Sequence, residues 1–76
     1  MLKERIMGIL SEMFEGARED SLLLDDGIID SFGILDLIDR LESEFGIQMD
    51  GEDIIPENFK DVSSIIEMIH RYIGGF

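Results

Sequence analysis

Residues 30–46 read Asp30-Ser31-Phe32-Gly33-Ile34-Leu35-Asp36-Leu37-Ile38-Asp39-Arg40-Leu41-Glu42-Ser43-Glu44-Phe45-Gly46. Ile34, Leu37, Ile38, Leu41 and Phe45 recur at spacings of three and four, which sets them on one stripe of an α-helix. Asp36, Asp39, Glu42 and Ser43 fall on another side. Gly46 supplies a C-terminal stop. Asp30 and Ser31 supply the start, because both residue types accept hydrogen bonds from the unpaired N–H groups of a first helical turn.

The same period governs both flanks. Upstream, Leu2, Ile6, Ile9, Leu10 and Met13 form an amphipathic stripe that should stop near Gly16; downstream, Val62, Ile65, Ile66, Ile69 and Ile73 form another, capped by Asp61 and closed by Gly74-Gly75. The last stripe is rich in β-branched residues, yet its spacing is helical, and period outranks propensity. Between the first two helices, residues 17–30 show neither period. They read as a long loop pinned by its own apolar residues, with its end, Asp30-Ser31, presented for function. Glu52-Asp53-Ile54-Ile55 can form at most a short helix, since Pro56 disfavours helical geometry in the residue before it. The expected fold is all-α, a small four-helix bundle with three principal helices, a short third one and a long first loop, spanning 1–76 as one domain.

The composition limits what such a bundle can do. The chain has 76 residues, 45% of them hydrophobic, which is enough for one core but not two. With 18 acidic and 6 basic residues the net charge is −12, so the phosphate backbone of a nucleic acid is an improbable partner. Proteins with basic patches are the natural ones. There is no cysteine, which removes disulfides, thiolate catalysis and Cys-based zinc sites together; thiol chemistry would have to be imported. Glu4 and Glu12 interrupt any apolar run at the start, so the expectation is a cytoplasmic monomer without membrane insertion.

A bare Ser31 hydroxyl is inert, and the one imidazole, His70, lies on the last helix with no sign of a catalytic partner. No enzyme and no metal site is expected: aligning Gly27, Gly33 or Gly51 to the glycine of a calcium loop leaves a nonpolar residue at the first ligand position. A helix N-terminus does favour an anion, so a phosphodiester on Ser31 would sit where the backbone welcomes it. Taken alone, an Asp-Ser pair is an ordinary helix cap.

The wider context is Asp25-Asp26-Gly27-Ile28-Ile29-Asp30-Ser31-Phe32, followed by Leu41-Glu42 and Phe45-Gly46-Ile47. In these residues, and over nearly its whole length, the chain resembles an acyl carrier protein. The resemblance implies that a phosphopantetheinyl transferase attaches 4′-phosphopantetheine from coenzyme A to Ser31. The arm's thiol would hold an acyl or aminoacyl group as a thioester for loading and downstream enzymes. Asp30 matches the family's acid before the serine, which supports that transfer. Phe32 stands where leucine is usual and implies a changed partner preference. Leu35, Asp36, Asp39 and Glu42 match the family's recognition helix, and Ile54 and Ile55 its short-helix partner residues. The spelling Gly27-Ile28-Ile29-Asp30-Ser31-Phe32-Gly33 is similar to stand-alone D-alanyl and aminoacyl carriers, whereas Ile55-Pro56-Glu57-Asn58-Phe59 lacks the tryptophan typical of D-alanyl carriers. The cargo stays open.

The rival expectation from another class is an acidic interaction module, an inhibitor or nucleic-acid mimic that fills a basic cleft without any prosthetic group. Ser31 separates the two.

Overall fold

Residues 2–74 are described by a computed structural model. Four α-helices follow one another: α1 (Leu2–Met13), α2 (Ser31–Phe45), α3 (Pro56–Phe59) and α4 (Val62–Tyr72), with one 3₁₀ turn, Gly51–Asp53, ahead of α3. The stripes meet as their spacing requires. Ile6 and Leu10 of α1, Leu37 and Leu41 of α2, and Ile65 and Ile69 of α4 are fully buried in one core, each side chain worth about 1.5–3 kcal/mol in removed apolar surface. Phe59 closes the core from α3. Capping also follows the expected residues: Asp61 Oδ1 accepts from the Ser64 amide at 2.8 Å, and Gly46 ends α2 in the left-handed region at φ 65°.

Three local features differ from the periodic reading, the first because of proline. The short helix does not occupy 52–55 but begins at Pro56, behind the separate 3₁₀ turn. Proline forces Ile55 to be extended (φ −130°, ψ 153°), yet its own fixed φ and missing N–H suit the first helical position. In α4 the buried surface includes Met68, while Ile73 lies past the helix end and is 39% exposed. Gly74 is left-handed at φ 113°, and Gly75 lies outside the described residues. Helix α1 ends at Met13, with the Phe14 amide still bonded to the Leu10 carbonyl at 2.8 Å.

The long loop is pinned as expected. Leu23 is fully buried, its amide donates to the Lys60 carbonyl at 2.8 Å, and its own carbonyl accepts from both Ile28 and Ile29. Leu22 forms an isolated antiparallel bridge with Asp61. The loop is thereby tied to the junction of α3 and α4. Ile29, buried next to Asp30, anchors the point where α2 begins. An open groove of about 240 Å³ is lined by Leu24, Asp25, Pro56, Glu57 and Lys60, none of which belongs to the first turn of α2.

Candidate functional site

Three features place the start of α2. Ile29 plugs the core, Asp30 is extended at the N-cap, and Gly33 lies close against the end of α1. Asp30 Oδ1 accepts from the Gly33 amide at 2.7 Å, and its carbonyl accepts from Ile34 at 3.0 Å. The cap is therefore Asp30, and Ser31 is the first helical residue, exposed and free of capping duty. Among the described residues, the Ser31 and Phe32 amides have no protein acceptor. They are the open N–H groups at the positive end of the helix dipole. An anionic group carried on the Ser31 oxygen fits this setting: the hydroxyl is accessible, the adjacent amides are open, and the cap leaves Asp30 Oδ2 uncommitted.

At position 33 only glycine fits unchanged. A Cβ there would stand 2.9 Å from Phe14 Cε1 and 3.2 Å from Asp30 Oδ1. The missing side chain lets α2 start in contact with α1, and sequence periodicity gives no sign of this approach.

Phe32 (80% exposed) and Leu35 (62%) project from α2, with Asp36 and Asp39 also exposed. Helical spacing puts these four on the side opposite Leu37 and Leu41. Three residues apart, Phe32 and Leu35 are neighbours on the helix and form an exposed apolar patch rather than a scattered leucine. The cations of this region point elsewhere: Arg40 reaches Glu12 at 2.9 Å and Glu44 at 3.5 Å, and Arg5 binds Glu44 at 3.3 Å with its guanidinium 4.5 Å from the Phe45 ring centroid. Among the described residues no basic side chain pairs with Asp36 or Asp39, so the outer face of α2 stays negative. Glu42 differs from them. It is half-buried, and its Oε2 accepts from the Met49 amide at 2.8 Å, holding the chain that leaves α2.

Ile54 and Ile55 are exposed, at 39% and 42%, on the segment between the 3₁₀ turn and α3. Tyr72, a residue that sequence spacing did not single out, governs that turn. Its hydroxyl donates to Asp53 Oδ2 at 2.5 Å and accepts from the Asp50 amide at 2.8 Å. The bond to the Asp53 carboxylate holds the phenol above its ordinary pKa of 10.0, against the opposing Asp50 N–H. Asp61 is shifted the other way, its carboxylate held below the ordinary 3.8 by its hydrogen bonds to Ser64. No cluster of metal-ligating side chains occurs among the described residues, and no helix of the described chain is long and apolar enough to cross a membrane.

No family model matches the chain. It is similar to a D-alanyl carrier protein of Streptococcus suis, 36% identical over 76 residues, covering 91% of this chain and 96% of the relative. It also matches an acyl carrier protein of Thermotoga maritima, 36% identical over 56 residues, 74% of this chain and 67% of that protein. A probable acyl carrier protein, PigG, of a Serratia strain is 29% identical over 93% of this chain and 87% of its own length.

Proposed function

The chain belongs to the acyl carrier protein family, and from that premise we propose that Ser31 bears a 4′-phosphopantetheine arm on which the protein carries an acyl or aminoacyl group between enzymes. As a member of that family it is a carrier and not an enzyme. The arm, attached from coenzyme A by a phosphopantetheinyl transferase, supplies the thiol that this cysteine-free chain lacks and carries the cargo as a thioester.

The observation that supports this reading best is the division of labour at the start of α2. Asp30 does the capping, so the neighbouring Ser31 is a surface hydroxyl with no structural task. The open amides of Ser31 and Phe32 favour a negative phosphodiester, and Asp30 Oδ2 faces the modifying enzyme as an acidic group able to help position its metal. Phe32 and Leu35 offer an apolar contact, while Asp36 and Asp39 steer a basic partner toward it. Ile54 and Ile55 extend the contact on the short-helix side. Glu42 contributes negative charge from its half-buried place at the edge of this face.

Because Ser31 is not the cap, Ser31→Ala tests the proposal cleanly. A surface change of this kind should alter stability by about 0.5 kcal/mol or less. Supplied with coenzyme A and a transferase, the parent should gain the mass of one phosphopantetheine and Ser31→Ala none. Equal gain by both would move the attachment away from Ser31, and no gain by the parent would return the protein to the unmodified acidic-module reading.

A further inference from the structure

The geometry points to Tyr72 as a positioning residue that latches the Asp50–Asp53 turn to the end of α4 and so fixes how Ile54 and Ile55 are presented to the enzyme that modifies Ser31. This rests on the carrier reading for the identity of that enzyme, while the latch itself stands on contacts within the chain.

Residues 50–55 have little else to hold them. The 3₁₀ turn has three residues, none of them buried, and Ile54 and Ile55 present large exposed side chains rather than filling the core. One hydroxyl crosses from α4 to bind both ends of the turn, the Asp50 amide and the Asp53 carboxylate. Around that centre, Arg71 lies 3.9 Å from Asp53 Oδ1, and the Asn58 side chain donates to the Asp53 carbonyl at 2.7 Å, tying the turn to α3 as well. A phenol ring is a stiff lever with two side-chain torsions, so a bond at its tip costs little rotamer freedom. The hydroxyl-to-carboxylate bond is charge-assisted and stronger than a neutral one. Removing the hydroxyl leaves the Asp50 amide and Asp53 Oδ2 to water and loosens the turn without emptying the core, with Asn58 and Arg71 as its remaining ties.

The test compares Tyr72→Phe, which keeps the ring, with Asp53→Asn, which keeps a hydrogen-bond acceptor for the phenol. Tyr72→Phe should keep the helical circular dichroism of the parent and speed hydrogen exchange of the Asp50 amide by tenfold or more. In phosphopantetheine transfer it should raise the KM for the carrier several-fold with kcat unchanged. Asp53→Asn, which keeps an acceptor but loses the charge, should fall between the parent and Tyr72→Phe in both readouts. An Ile54→Ser, Ile55→Ser double variant should raise KM too, and Tyr72→Phe should add nothing in that background. Unchanged exchange in Tyr72→Phe, or faster exchange with unchanged KM, overturns the proposal. A parent that accepts no arm overturns the carrier reading instead, and the exchange measurement then judges the latch alone.

Discussion

Two helical glycines should respond to alanine with opposite signs, and the contrast tests the packing at the start of α2. Alanine is about 1 kcal/mol better than glycine in a helix interior. At Gly8 in α1 an added Cβ meets nothing within 4 Å, so that preference should appear in full. At Gly33 the Cβ would stand 2.9 Å from Phe14 Cε1 and 3.2 Å from Asp30 Oδ1. Forcing an extra carbon into a packed contact costs about 1–3 kcal/mol, and weakening an N-cap adds to it, typically about 1 kcal/mol for its complete loss. The Phe14 ring is half-buried and can yield in part, so the expected net is a loss of about 1 kcal/mol, or roughly 4–8 °C in Tm for a domain of this size. Urea and thermal unfolding followed by circular dichroism measure both variants. In a Phe14→Leu background, which removes the obstructing ring atom, Gly33→Ala should lose most of its penalty. A Gly33→Ala protein as much stabilised as Gly8→Ala would refute the close approach of α2 to α1.

The other predictions concern helix propensity, titration and charge. Gly8→Ala alone should raise Tm by roughly 4–8 °C, and no change would mean that α1 departs from helix there. Asp61, held below its ordinary pKa of 3.8, contributes stability that is present above that value and lost as pH falls through the lowered one. The Tm difference between the parent and Asp61→Asn, which keeps a capping side chain, should therefore be positive at pH 7 and shrink in acid; a difference independent of pH would contradict it. Tyr72 has the opposite sign. Its raised pKa makes its contribution complete below 10.0 and lost as pH climbs through the raised value, so alkaline unfolding should come earlier in the parent than its difference from Tyr72→Phe at neutral pH suggests. With a net charge of −12, raising salt from about 0.01 M, where the Debye length is about 30 Å, to about 0.15 M, where it is about 8 Å, should raise Tm, and a flat response would show that acid–acid repulsion is not felt.

The main helices were legible because their cores repeat at one period: Leu37 and Leu41 of α2, like Ile65 and Ile69 of α4, are buried where the stripe places them. The caps were legible for the same local reason, although the sequence could not divide the work between Asp30 and Ser31. That choice depends on one hydrogen bond, Asp30 Oδ1 to Gly33. Pro56 signals an extended Ile55 in the sequence, whereas its own fitness to open a helix shows only where α3 begins. The Tyr72 contacts bridge 19 and 22 residues with no period to announce them. Glu42 looked the same as Asp36 and Asp39 along the sequence and separates from them only once the Met49 amide is seen to fold back onto it. The clash at Gly33 was likewise invisible, since it depends on where α1 ends in space.

The central claim, that the Ser31 oxygen is the tether for a borrowed thiol, is tested most directly by intact-mass spectrometry of the protein purified from its own host, followed by fragmentation to locate any added mass. The account predicts a population heavier by one phosphopantetheine, with or without cargo, and the addition mapped to Ser31. Protein recovered from growing cells at the bare mass of its chain throughout would contradict it.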